Sequence, residues 1–370
     1  MNSMAIDRRS LLLGTLAFVG TAPMRGALAE GTDDIAYVSA ARRAEGTYSV
    51  LLLRADGSII REVALSGRGH DIAIHRPSNN FAVFARRPGT FGVAFDLDTA
   101  RPPHVFTPGE GRHYFGHGSF SQDGRLLYAS EADIDSGQGV IGIYDVASGF
   151  KKIGEHSSYG TGPHEIMLLA DGRTIAVGNG GLDTVPDAGR ENLNVDAMEP
   201  SLAFVDAVTG KLIAKHDMTG DLKSLSIRHV TQDATGLVWF GAQWEGSPSE
   251  TPQLVGSAGP DRALKLIEPQ AKGGGDLKGY IGAMAVSADG RTIAASAPKA
   301  GHVLYVDTAT AKVVGQSNLK DVCGLASHGD ADFAASSGFG VVRYETAQAS
   351  TISEHELRDI AFDNHLRRVG

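Results

Sequence analysis

The sequence predicts an all-β protein, a seven-bladed β-propeller closed by pairing N- and C-terminal strands in one blade. Three observations predict it. Glycine is abundant, at 47 of 370 residues, while long apolar stripes of helical period are missing, which favours many short strands joined by tight turns. One hairpin recurs in near copies, QDGRLLYAS (122–130), ADGRTIAVG (170–178) and ADGRTIAAS (288–296), each an Asp-Gly turn followed by a half-buried strand. A second element follows each copy: GVIGIYDVASG (139–149), PSLAFVDAVTG (200–210) and GHVLYVDTATA (301–311), with FGVAFDLDTA (91–100) as a fourth member.

The unit is therefore strand, Asp-Gly turn, strand, loop, strand, turn, strand, which is a four-stranded propeller blade. By these marks blades open near His70, His117, His164, His229, Gly282 and Cys323. The chain ends supply the seventh. IAFDNHLRRVG at the C-terminus serves as its inner strand, and IAYVSAA, TYSVLLLRADG and SIIREVALS from the N-terminal side serve as its outer strands. Such a closure leaves no free edge around the ring. Residues 30–370 then form a single domain of about 49 residues per blade, close to the usual propeller repeat.

Residues 1–29 read as an export signal to be set apart from the fold. Arg8 and Arg9 precede an apolar run from Leu11 to Val19, and Ala27-Leu28-Ala29 provides a cleavage site. The run is too short to cross a bilayer, so no membrane anchor is expected. DRRSLLLG resembles the twin-arginine signal pattern, with Asp7 where Ser or Thr is usual, and Arg25 and the Gly-interrupted apolar core suit that route. The expected location is the periplasm. The twin-arginine route carries folded proteins, often ones that have already acquired a cofactor.

The composition, 42% hydrophobic and 21% charged, is that of a globular chain. Its net charge of −9 becomes more negative once the leader leaves, which argues against nucleic acid as a partner. Cys323 is the only cysteine, so no intrachain disulfide is possible. Walker loop, HExxH, GxSxG, dinucleotide fingerprint and CxxCH are all absent, and no nucleotide cofactor is expected. The chain is read as a monomer.

Aligned on the hairpins, five inner strands open with a histidine in nearly the same place: GRGH at His70, YFGH at His117, TGPH at His164, SIRH at His229 and FDNH at His365. The other two open with YIG at Gly282 and DVCG at Cys323. Inner strands line the channel of a propeller, so five imidazoles and one thiol should converge at one channel mouth. Two long insertions, 181–200 and 245–263, are expected between second and third strands, and so over that same mouth. His75, His104, His156, His216, His302 and His328 fall in turns or outer strands and are read as surface residues. In HYFGH (113–117) the extended spacing spreads the two imidazoles, so no helical zinc pair is read there.

Neutral imidazole ligates Fe, Cu, Zn and Ni, and a thiolate favours softer ions. His70, His117, His164, His229, His365 and Cys323 are therefore candidate ligands of a transition metal ion: iron, copper or zinc. Glu165, Arg228 and Asn364 are expected around them, and Arg86, Arg87 and Glu131 on the same rim, where arginine pairs suit carboxylate or phosphate recognition. Two other readings stand beside metal binding: a protein-interaction platform whose channel histidines only hydrogen-bond, and an enzyme or receptor for an anionic small molecule. The residues leave open whether there is turnover.

GRGHDIAIH, FARRPGTF, GRHYFGHGSFS, GPHEIMLLADGRT, GRENLNVDAMEPSLAF, VWFGAQWEG, DVCGLA and FDNHL, taken in order, resemble an uncharacterised family of exported bacterial propeller proteins defined by a domain of unknown function. Its members tend to be encoded near imelysin-like, iron-regulated exported proteins. The resemblance implies iron or copper handling in the periplasm, with iron-uptake proteins as partners. The propeller domain of nitrous oxide reductase, which gathers histidines to hold copper, is similar in architecture only.

Overall fold

The structure is a computed structural model, and it describes residues 35–97, 102–184, 189, 194–250, 252–267 and 276–369. The export signal expected over 1–29 lies outside these residues. Among the described residues no helix is long and apolar enough to cross a membrane.

Among the described residues twenty-eight strands form seven four-stranded antiparallel sheets, the seven blades expected from the repeats. Six blades are each built from four consecutive strands. Their inner strands are β4 (Gly69–His75), β8 (Arg112–Phe120), β12 (Pro163–Leu168), β16 (Leu225–Gln232), β20 (Ala283–Val286) and β24 (Val322–His328). The seventh has the order β28-β1-β2-β3, with β28 (Ile360–Arg368) innermost beside β1 (Tyr37–Arg43), β2 (Tyr48–Leu53) and β3 (Ile59–Leu65).

The recurring hairpin follows from its turn. Gly124, Gly172 and Gly290 adopt φ of +69°, +67° and +71°, a region open to glycine at no steric cost. The preceding Asp accepts from the backbone N–H two residues on, as Asp171 does from Arg173 at 2.9 Å and Asp289 from Arg291 at 3.0 Å. The side chains of second and third strands are almost wholly buried, as in β13 (Thr174–Asn179) and β14 (Ser201–Asp206), while a fourth strand such as β15 (Leu212–Asp217) is largely exposed. Apolar residues of adjoining blades pack face to face between the sheets: Phe204 and Ile227 share one cluster with Trp239, Phe240 and Ile293.

The inner strands depart from regular pairing. Six of the seven carry a register shift: around His70–Asp71, Phe115–His117, His164, Arg228, Cys323–Gly324 and Asp363–His365. Only β20, which has no histidine at this level, pairs without one. A bulge leaves backbone groups outside the ladder, and hydroxyls answer several of them. Ser39 Oγ donates to the carbonyl of His365 at 2.6 Å, Ser130 Oγ to that of His117 at 3.1 Å and Ser296 Oγ to that of Cys323 at 2.8 Å.

Candidate metal centre

In a regular strand consecutive side chains point to opposite faces. The bulges break that alternation where the five histidines stand, so a histidine and its neighbour both reach across the channel. His70, His117, His164, His229 and His365 are brought together, none more than 7% exposed, and are thus buried inside the channel instead of open at its mouth. His117 is central, with ring centroids 4.9 Å from His70, 5.1 Å from His164, 5.7 Å from His229 and 4.7 Å from His365. The other four form a circuit around it, the closest pair being His70 and His365 at 4.7 Å. Potential donor atoms of His70, His117 and His164 lie within 4.8 Å of one another, as do those of His117, His229 and His365. These buried histidines, with the acids beside them, are close enough to hold a metal ion.

Three of the histidines are oriented by carboxylates from the preceding inner strand. Nδ1 of His70 (β4) bonds Asp363 (β28) at 2.7 Å, Nδ1 of His117 (β8) bonds Asp71 (β4) at 2.9 Å, and Nδ1 of His229 (β16) bonds Glu165 (β12) at 3.0 Å. An ionised carboxylate only accepts, so each of these Nδ1 atoms carries a proton, and in the neutral ring Nε2 keeps its lone pair. Arg367 anchors the acids: its guanidinium grips Asp71 at 2.7 and 2.6 Å and reaches Glu165 at 2.9 Å. Arg68 and Arg86 bond Asp363 from the other side, at 2.5 and 3.3 Å.

The charges follow from this wiring. Burial opposes ionisation of Glu165, but His117, Arg367 and His229 outweigh it and take its pKa to about 2. Asp71 and Asp363 are likewise held well below the usual carboxylate range, burial being overcome by Arg367 in the first and by His70 and the arginines in the second. Burial has the opposite consequence for the imidazoles. It takes His70 to about 3 despite Asp363, and it lowers His164, His229 and His365 as well. These four are neutral at pH 7, the state in which imidazole is a ligand.

Nε2 of His117, His229 and His365 is buried without a protein partner. A buried polar atom left unpaired costs about 1–3 kcal/mol, so three together are comparable with the net stability of many domains. His70 and His229, neutral and protonated on Nδ1, present acceptor lone pairs at Nε2. A cation answers such lone pairs by coordination; the donor atoms of His229 lie close to those of His117 and His365, and those of His70 to those of His117 and His164.

The remaining predicted residues divide. Arg228, 2% exposed, donates from Nη1 to Nδ1 of His164 at 3.4 Å and from Nη2 to Glu245 at 3.0 Å. Asn364 donates to the Tyr280 hydroxyl at 2.8 Å, and Arg87 is buried near enough for its charge to disfavour protonated His164. Glu131 does not join them. It lies inside its own blade, accepting from Tyr144 at 2.5 Å and Lys152 at 2.7 Å, because its position on β9 (Leu126–Asp133) faces the outer strands. Cys323 is not gathered in either: its Sγ donates to the Asp321 carbonyl at 3.1 Å, and burial, then Asp321 and Asp363, push its pKa up so that it stays a thiol.

Other expectations are corrected. Residues 181–200 do connect β13 to β14, but only 245–254 connect β17 (Val238–Trp244) to β18 (Val255–Gly259); the rest of that segment is β18, its turn and the start of β19 (Arg262–Leu266). His75 is buried, bonded to Ser78 at 2.7 Å, and His328 is half-buried against Tyr37 at 2.7 Å. Asp71, Asp363 and Arg367 were not legible as site residues from spacing alone. The signal that could have found Asp71 is the acid directly after the histidine, which GHD shares with PHE just before a strand's apolar run.

The family described as protein of unknown function (DUF1513) matches residues 63–369, and the chain belongs to it. No protein of curated function matches the sequence. Among solved structures, hydrazine synthase from Kuenenia stuttgartiensis is similar at a TM-score of 0.61 and 14% identity, over 91% of this chain and 99% of that one; at that identity the likeness is one of fold.

Proposed function

We propose that this member of the DUF1513 family is a periplasmic propeller that binds a transition metal ion, iron or copper, in its histidine cluster, and that it serves metal uptake or handling. One observation carries the reading: His70, His117 and His229 each give Nδ1–H to a buried carboxylate and turn Nε2 into the cluster. Metal-ligating histidines are oriented in this way, since the second nitrogen's hydrogen bond fixes the tautomer and raises the basicity of the first. The cluster offers imidazole without thiolate, which suits a borderline divalent ion, and copper leads the affinity order among such ions. The leader reading supports a periplasmic site, and the expected partners are iron-uptake proteins of that compartment.

Elemental analysis of full-length protein from metal-replete cells tests this. About one equivalent of iron or copper is expected in the wild type and less than about one tenth of that in His117→Ala and His229→Ala, provided the variants keep the wild-type circular dichroism. Wild-type protein that carries no metal, and takes up none on addition of Cu(II) or Fe(II), would overturn the proposal.

A further inference from the structure

His164 differs from its neighbours in what touches Nδ1. A guanidinium has hydrogens to give and no lone pair to share, so the contact from Arg228 makes Nδ1 of His164 an acceptor. The proton of the neutral ring then sits on Nε2, the reverse of His70, His117 and His229. A protonated Nε2 cannot ligate an ion. It donates a hydrogen bond.

The reason lies in the neighbouring strand. Asp71 follows His70 and holds His117, and Glu165 follows His164 and holds His229. By the same pattern the residue after His117 would hold His164, and that residue is Gly118. A Cβ there would lie 2.5 Å from the Phe84 ring and 2.7 Å from the Tyr128 carbonyl, so no carboxylate can be built at this place. The run of orienting acids is interrupted at β8, and Arg228 fills the gap.

His164 is also the most exposed of the five, at 7%. Arg228 Nε is buried with no protein partner. Arg228 and Asn364 precede their histidines on inner strands, whereas Asp71, Glu165 and Arg367 follow theirs, so the arginine side of the cluster is the side on which those strands begin. That side carries Arg68, Arg86 and Arg228.

We infer that His164 is a positioning residue and not a ligand: its Nε2–H, beside Arg228, receives a small anion coordinated at an open position of the ion held by its neighbours. The inference rests on the metal reading above. The ligand class is a compact anion with an accepting atom next to the coordinating one, and azide is a suitable probe.

Two measurements on the full-length protein test it. In metal-free protein labelled with nitrogen-15 histidine, the ring shifts should give the Nε2–H tautomer for His164 and Nδ1–H for His70, His117 and His229. Nδ1–H at His164 overturns the inference whatever the protein binds. In Cu(II)-loaded protein, followed by the azide-to-copper charge-transfer band, His164→Ala should keep the copper stoichiometry and lose about tenfold or more in azide affinity, the size expected for one hydrogen bond to a charged group. His164→Gln, which restores a donor, should regain most of that loss and carries the comparison if the alanine variant does not fold. Loss of copper from the folded His164→Gln protein, or azide affinity unchanged in both variants, overturns the inference while leaving the metal reading intact. Wild-type protein that binds no copper and no iron overturns both.

Discussion

Nδ1 of His229 on β16 donates to Glu165 on β12 at 3.0 Å, so a carboxylate in one blade sets the ring orientation of a histidine in the next. The same acid accepts from Arg367 at 2.9 Å, which ties a third blade to the pair.

Glu165→Gln keeps an oxygen that can accept from His229 but removes the negative charge that makes the imidazole more basic. Metal affinity should fall by about 10–100-fold with the fold retained, the usual cost of altering a residue that orients a ligand. Competition with a chromophoric chelator reads this directly. Affinity unchanged in Glu165→Gln would show that the acid is structural.

Acid should weaken the metal-free protein over a defined range. The folded pKa of His70 is about 3, lowered first by burial, against about 6.5 in an unfolded chain. Between those values the unfolded chain binds a proton that the folded one does not, so the contribution is complete above pH 6.5 and is lost as pH falls toward 3. The slope for one such imidazole is about 1.4 kcal/mol per pH unit. Glu165, at about 2, adds a loss of the same sign below the ordinary range of glutamate. Urea midpoints should decrease steadily from pH 7.5 to pH 5, and a midpoint that rises on acidification contradicts this.

Gly118→Ala places a methyl group against Phe84 and the Tyr128 carbonyl, both under 3 Å from the new atom. The carbonyl belongs to β9 and cannot swing aside as a side chain would. A loss of about 1–3 kcal/mol is expected, the range for overpacking a filled site, read from chemical denaturation. A neutral substitution would mean that β8 shifts freely, and the interrupted run of acids would then lack its steric cause.

The blades were legible because Asp-Gly turns and buried second and third strands repeat along the chain, and each repeat is a local feature of sequence. The shared position of the five histidines was legible for the same reason: it is counted from those turns. Asp71 was not, because regular alternation assigns a residue beside an inward histidine to the opposite face, and only the bulge defeats that rule. Glu131 was misplaced by the same alternation in reverse. It belongs to a regular part of β9, where its face is the one turned to Tyr144 and Lys152.

Strand β28 closes the ring beside β1 and also carries Asp363, His365 and Arg367. The clasp of the propeller and half of the site's wiring are therefore one segment, which follows all the other strands in chain order. A nascent chain cannot assemble the cluster before β28 has been made, so an ion can be captured there only once that strand is in place. Once captured, it bolts the final strand to the blades opposite, and unzipping the closure then requires breaking coordinate bonds as well as a ladder. Occupancy would show itself as slow unfolding and resistance to proteases near the C-terminus, even where the equilibrium midpoint moves little.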